Sequence, residues 1–422
     1  MKQTSLMMVV LAALLLMACE ASNEPFVPYR HSDPVATTPR PPSEPAPRAT
    51  PRAPAGPMKG LWITRWDFRT PRDVTEAIER AASLGVTDIF WQVRGQGDAF
   101  YASPFEPWGE ELLADLPPGS TEPGFDPLAL AIIQSKSRGM RIHAWVNVMP
   151  LWRGTTPPKS SRHLYHTQPE WRLTDRNGKQ QALNEHYVIV NPVLPEVQNH
   201  IVRIIADIVD RYAIDGIHLD YIRFVSESVD KTSIYPSDPR SLGLFAKDSG
   251  RRELKTDDDL RAFRAWKRNK ITELVRRIKT DALSRKPGLI YSAAVWRDPT
   301  IAQVEYLQDA ALWLREGTID IAMPMIYSTN DQQFREDMNA WRQAVGSAAL
   351  IPGLGAYMHD DPQQTIRQIR IAASPAGYAI FAYASLFDSA NPLEYMTPEA
   401  RAKRQVRRQA LGQFMRQDAA RP

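Results

Sequence analysis

The sequence predicts an α/β fold, a closed (β/α)8 TIM barrel with long loops after its second and third strands. Three observations carry this prediction. Eight apolar runs alternate with amphipathic segments from Lys59 almost to the end of the 422-residue chain. Some runs, such as Ile319-Asp320-Ile321-Ala322-Met323, are nearly continuous in apolar character, which suits strands covered on both faces. No G-x-G-x-x-G turn follows any run, which disfavours an open, doubly wound sheet.

The chain opens with a basic Met1-Lys2 and an apolar run from Leu6 to Met17, too short to span a bilayer. This reads as a signal peptide over residues 1–18. Leu16-Met17-Ala18 before Cys19, the single cysteine, resembles a bacterial lipobox, so Cys19 is expected to be acylated. Glu20 follows it rather than Asp, which favours the outer membrane, facing the periplasm. Residues 19–57 form a tether: eleven of the 35 prolines lie between Pro25 and Pro57. Polyproline spacing of roughly 3 Å per residue would let it hold a domain on the order of 100 Å from the membrane. The barrel domain takes residues 58–422.

Strands are expected at Gly60–Trp66, Thr87–Arg94, Arg141–Val148, Gly216–Phe224, Leu289–Trp296, Ile319–Tyr327, Leu350–Tyr357 and Gly377–Ser385. Helices are expected at Asp73–Leu84, Pro127–Arg138, Glu196–Tyr212, Asp258–Ser284, Val304–Arg315, Gln332–Val345 and Pro362–Ala373. An eighth falls within Pro398–Arg416. Long excursions at Phe100–Phe125 and Leu151–Leu194 lie on the carboxyl side of the strands, where such barrels carry their active sites. Asp88, Asp215 and Asp320 sit at the opposite, amino-terminal side and are expected to be structural.

The net charge of +4 is slight, and the basic residues are scattered, so no nucleic-acid partner is expected. There is no G-x-S-x-G elbow, phosphate loop or H-E-x-x-H, and no metal or other cofactor is expected. The strand ends instead supply carboxylate, arginine, asparagine and aromatic side chains. That inventory suits glycosidic-bond cleavage, which normally uses two carboxyl groups and a sugar-stacking surface. Alternation along Asp215-Gly216-Ile217-His218-Leu219-Asp220 turns His218 and Asp220 into the barrel, with Asp220 near the catalytic rim. Arg223 is its expected partner. For the second carboxylate, Asp98, Glu185, Asp298 and Asp331 are candidates. Glu185 leads, because a loop carboxylate leaning over an apolar wall would have its pKa raised. Arg94, Asp98, Tyr101, Trp145, Asn147, His218, Arg223, Trp296, Tyr327 and Tyr383 are the candidate substrate-binding residues. Trp108 and Trp152 are further aromatic candidates at the rim.

Several segments together resemble the bacterial glycosyl-hydrolase-like family ten. They are Lys59-Gly60-Leu61-Trp62-Ile63-Thr64, Gln92-Val93-Arg94, Gly97 to Ser103, Pro107-Trp108, Phe125-Asp126-Pro127-Leu128, His143 to Asn147, Gln168-Pro169-Glu170-Trp171, Asn191-Pro192 and Asp215 to Arg223. The resemblance is dense from Lys59 to Phe224 and weaker to Phe387. It implies a barrel and an activity like that of lipoprotein glycosidases acting on peptidoglycan strands stripped of stem peptides. Val148 stands where members often carry proline, and Tyr221 where many carry a second aspartate, which speaks against a metal held by neighbouring carboxylates. The strand is also similar to that of family-eighteen chitinases, but Ile222 replaces their catalytic glutamate. The expected activity is therefore hydrolysis of cell-wall glycan by a monomer. The rivals are a glycan-binding lipoprotein without catalysis and a hydrolase of another polysaccharide.

Overall fold

The computed structural model describes residues 56–224, 233–346, 349–390 and 397–419. Cys19, the leader and the tether up to residue 55 lie outside the described residues. Eight parallel strands close into a barrel: β1 (Met58–Ile63), β2 (Asp88–Arg94), β3 (Arg141–Asn147), β6 (Gly216–Asp220), β7 (Ile290–Val295), β8 (Ile321–Ile326), β9 (Gly353–Gly355) and β10 (Gly377–Phe381). Between β3 and β6 in the chain, β4 (Pro150–Arg153) and β5 (Tyr187–Ile189) form a separate antiparallel hairpin. All eight expected barrel strands and seven of the eight expected helices are present; in place of the expected helix Val304–Arg315 the chain forms two short ones, Pro299–Val304 and Ala310–Arg315. A helix at Pro239–Ser249 and the β4–β5 hairpin were not expected.

Helix boundaries follow local chemistry. At Pro71–Leu84, Thr70 and Asp73 form a reciprocal capping box, and Gly85 ends the helix at φ 95°, a left-handed conformation that glycine adopts without a Cβ clash. Apolar side chains sort into two cores. Leu61, Ile63, Ile217, Leu219 and their neighbours face the helices. Trp62, Phe90, Trp145, Ile321, Met323 and Ala379 fill the barrel interior. Gly60 keeps that interior closable, since a Cβ there would lie 2.8 Å from the Cβ of Ala379.

The amino-terminal end is tied by carboxylates that each serve a neighbouring strand. Asp215 accepts from Ile142 N (2.9 Å) and Asp320 from Tyr291 N (2.8 Å). Asp88 pairs with Arg141 Nε (2.7 Å) and His143 Nε2 (2.9 Å). These three aspartates occupy the structural positions that the strand direction predicts.

Candidate active site

Asp220 is the last residue of β6, in register with Asn147 on β3, so both side chains enter the barrel mouth together. The strand stops there because Tyr221 turns left-handed at φ 49°, a conformation costly for a non-glycine residue. The turn brings Tyr221 N within 2.6 Å of Asp220 Oδ1. Burial pushes the Asp220 carboxyl up to about 6, against the opposing pull of the Arg223 guanidinium, the Tyr221 amide and the Trp145 side chain. The expected strand to Phe224 is thus four residues shorter, and the turn delivers Arg223 to a cage of rings. Its guanidinium lies 4.5 Å from the Tyr221 ring centroid, 4.8 Å from Tyr306 and 5.2 Å from Trp296. Arg223 and Trp296 are placed beside Asp220 as a buried cation–π stack.

The loop after β2 carries a second carboxyl cluster. Asp98 Oδ1 accepts from Gly95 N (3.1 Å) and Gln96 N (2.8 Å). Burial, reinforced by the negative charge of Glu111, raises the Asp98 carboxyl to about 7, although Arg65 and the Gln96 amide oppose the shift. Arg65 bridges this cluster to the rest of the rim. Its Nε donates to Glu111 Oε1 (2.9 Å) and its guanidinium to Tyr187 Oη (3.2 Å), whose ring meets Tyr221 edge-on at 5.0 Å. Glu111 sits on the one-turn helix Glu110–Leu113, anchored by the buried Leu112. Its carboxylate is the site residue that sequence reasoning missed. A four-residue helix inside a long loop has no periodicity to reveal it.

Other candidates lie elsewhere. Arg94, a candidate for substrate binding, is fully buried and holds Glu106 by two hydrogen bonds (2.8 Å each) and the Val148 carbonyl (3.0 Å). With every visible donor engaged in pinning the two loops, it is placed for structure and not for substrate. His218 is likewise internal. Trp62 Nε1 donates to His218 Nε2 (3.1 Å), which leaves the proton on Nδ1, facing Ser292 Oγ (2.9 Å). Burial, with His143 nearby, holds this ring neutral, well below the ordinary histidine range. Tyr101 is buried edge-on against Tyr212, which follows the helix Pro195–Arg211, outside the barrel mouth. Tyr383 stacks on Phe387, with its hydroxyl accepting from Arg80 (3.1 Å) on the outer helix layer. Both rings pack loop to barrel.

Glu185 is exposed in the turn before β5, its carbonyl accepting from Arg153 Nε (2.8 Å), and so lacks the apolar burial on which its candidacy rested. Asp298 caps the helix Pro299–Val304, and Asp331 pairs with Arg367 (3.0 Å). Trp145 and Asn147 do line the mouth, and Tyr327 stacks on Phe381 at 5.2 Å beside them. Asp98, Trp145, Asn147, Asp220, Arg223, Trp296 and Tyr327 therefore remain around the carboxyl ends of the strands. A cleft of about 930 Å³ lies between the two long loops, walled by Gln96, Trp108, Glu111 and Trp152, and none of those seven residues lines it. Among the described residues no cluster of three or more His, Cys, Asp or Glu side chains is placed to hold a metal ion.

A closed parallel barrel with buried carboxyls and aromatic rings at its catalytic end defines a glycoside hydrolase-like TIM-barrel enzyme. Residues 57–353 match the family described as glycosyl hydrolase-like 10, and the chain belongs to that family. It is 26% identical over 354 residues to glycosyl hydrolase DigH of Escherichia coli strain K12, covering 75% of this chain and 74% of that one. Glycosyl hydrolase YngK of Bacillus subtilis strain 168 is 24% identical over 356 residues, covering 74% of this chain and 65% of the relative. The fold is shared with the glycoside hydrolase domain of PgaB from Bordetella bronchiseptica. That match has a TM-score of 0.57 at 13% identity and covers 84% of this chain and 99% of the other.

Proposed function

We propose that this enzyme hydrolyses glycosidic bonds of bacterial cell-wall glycan, peptidoglycan strands in particular, with Asp220 as the carboxylate nearest the anomeric carbon. The observation that carries this reading is the pair of buried carboxyls on one barrel face, Asp220 raised to about 6 and Asp98 to about 7. Glycosidases divide acid from base or nucleophile by giving two carboxyls different environments. β2 and β6, the strands that lead to the two groups, are two strand spacings apart, roughly 10 Å at the backbone, and hydrolysis calls for two carboxyls about 5–10 Å apart. Asp220, ionising first, stabilises positive charge at the anomeric carbon or activates water. Asp98, the later of the two to lose its proton, protonates the leaving oxygen. The cell-wall substrate is supported by the motif resemblance and by the lipobox-like run before Cys19. The test is digestion of intact and peptide-stripped peptidoglycan by purified protein, with products read by mass spectrometry. Strands bound but left uncut would mark a glycan-binding protein, and activity on other glycans alone would mark a different hydrolase.

The pH dependence has a defined sign. Activity should rise as Asp220 ionises through about 6 and fall as Asp98 loses its proton through about 7, a narrow bell. Asp98→Asn should flatten the alkaline limb and lose about 10²- to 10⁴-fold on poor leaving groups, but much less on activated aryl glycosides. Glu111→Gln removes the charge that lifts Asp98, so it should move the alkaline limb to lower pH. An unmoved limb in both variants would exclude Asp98 as the acid.

We also propose that acylated Cys19 anchors the enzyme in the outer membrane. Wild-type protein should fractionate with membranes, and Cys19→Ala should release it or leave it unprocessed. Wild-type protein found soluble in the periplasm would exclude the anchor.

A further inference from the structure

The cleft between the two long loops lies outside the two carboxyls assigned to the reaction, yet it is built as a binding site. Its space of about 930 Å³ is at the upper end of what small-molecule sites enclose, room for a short oligosaccharide rather than a single ring. Its walls are tied to each other before any ligand arrives. Lys159 N of the second loop donates to Glu110 Oε1 of the first (2.7 Å). Tyr165 N donates to His163 Nδ1 (3.1 Å), which leaves the ring proton on Nε2 to donate to the Gln96 carbonyl (3.0 Å). Burial keeps that ring neutral, pushed down to about 4. Gly97, at φ 77°, passes so close that a Cβ on it would lie 3.0 Å from His163 Cε1. A wall fixed in this way loses little freedom when a ligand enters.

The lining suits sugars. Trp108 and Trp152 bring broad apolar rings, Trp108 half-buried and Trp152 anchored by Nε1 donating to the Thr156 carbonyl (2.7 Å). Between them Gln96 is 6% exposed, and its Oε1 has no hydrogen-bond partner among the described residues. Glu111 Oε2 is in the same condition. A buried acceptor left unpaired costs roughly 1–3 kcal/mol, and the hydroxyl donors of a sugar are what such acceptors lack. The cleft also belongs to the loop that carries Asp98. Gln96 N donates to Asp98 Oδ1 (2.8 Å) while its side chain lines the cleft, and Glu111 in the same wall is the charge acting on Asp98. Asp220 and its neighbours on β3 and β6 contribute nothing to the lining. An acid stands beside the oxygen it protonates, so a cleft on the side of Asp98 extends from the leaving group.

We propose that this cleft holds the sugars on the leaving-group side of the cleaved bond, so that the enzyme cuts within glycan chains and not at their reducing ends. This rests on the reading of Asp98 as the acid of a glycan hydrolase. Trp108 and Trp152 carry the ring faces of the chain, and Gln96 and Glu111 accept from its hydroxyls.

The test uses the full chain, a length series of reducing-end-labelled oligosaccharides from peptide-stripped peptidoglycan, and aryl glycosides of the same sugars. Wild type should release labelled fragments longer than a single sugar, and kcat/KM should rise about tenfold or more as sugars are added on that side. Trp108→Ala should lose about tenfold or more on the longer chains, mainly in KM, but less than about threefold on aryl glycosides, which bring no sugar to the cleft. A general loss of packing would lower both alike. Should Trp108→Ala fold poorly, the wild-type length series decides alone. Release of single labelled sugars as fast as longer fragments, a flat length series, or equal losses on chains and aryl glycosides would overturn the assignment. Should wild type cut no glycan, the hydrolase reading falls, and calorimetric binding of the longer chains tests the cleft itself. The cleft then stands as a glycan site if Trp108→Ala weakens binding about tenfold, and falls if the affinity is unchanged.

Discussion

Asp220→Asn should abolish glycan cleavage and, at neutral pH, raise the melting temperature of the protein. The activity loss follows from position: Asp220 ends β6 at the barrel mouth, and no other described carboxyl shares its register with Asn147. Replacing the carboxylate by an amide keeps the shape but removes the charge that opposes the developing oxocarbenium ion. A loss of about 10³-fold or more corresponds to about 4 kcal/mol of transition-state stabilisation.

The stability gain has the opposite origin. The folded carboxyl titrates at about 6, above its value of roughly 3.9 in an unfolded chain. The folded state therefore holds this proton more tightly. Its contribution to stability is full below the unfolded pKa and is lost as pH rises through about 6. Above that, the buried charge destabilises the fold by an amount on the order of 2–3 kcal/mol. Asn carries no such burden. Calorimetric melting at pH 7.5 should favour the variant, and the advantage should vanish near pH 4, where wild-type Asp220 is protonated. A variant less stable than wild type at pH 7.5 would assign Asp220 a structural role. One that cleaves glycan at near wild-type rate would remove it from the mechanism.

The barrel was legible because its signal is local and repeated. Each strand is an apolar run, each helix an amphipathic one, and alternation alone directed Asp220 inward and Leu219 outward. The site was legible only where a strand carried it. On β3 and β6, Trp145, Asn147 and Asp220 point where a period of two places them. Beyond the strand ends that rule lapses. Tyr101 and Tyr383 follow β2 and β10, yet their rings turn outward onto Tyr212 and Phe387. The β4–β5 hairpin pairs two runs of four and three residues with most of a long loop between them, too short and too distant to announce themselves. Arg94 is close to Asp98 in sequence, but its partner is Glu106, met through a fold-back of the loop. The carboxyl whose pKa is raised in the loops is Asp98, because burial and the charge of Glu111 come from tertiary packing and not from the residues on either side.

Glu106→Gln should be strongly destabilising, with little direct effect on chemistry. Glu106 and Arg94 have side-chain exposures of 1% and 0%, and His200 Nε2 completes the cluster at 3.1 Å from Glu106 Oε1. Burial alone would push the Glu106 carboxyl up, but Arg94 and His200 together outweigh it and hold it at about 2. Removing its charge strands a buried guanidinium, and breaking such a pair from one side costs about 3–5 kcal/mol. The loops that Arg94 ties together carry Asp98 and the β4 arm, so the variant should also show early proteolysis there before global unfolding. Because the folded pKa is depressed, the wild-type contribution is present above the ordinary glutamate value near 4.3 and is lost as pH falls towards 2. Wild type and variant should therefore differ widely in denaturant midpoint at pH 7 and converge as the pH approaches 2. A difference that persists undiminished at low pH would show that Glu106 acts by packing rather than by charge, and a variant as stable as wild type would refute the buried pair as the anchor of the catalytic loops.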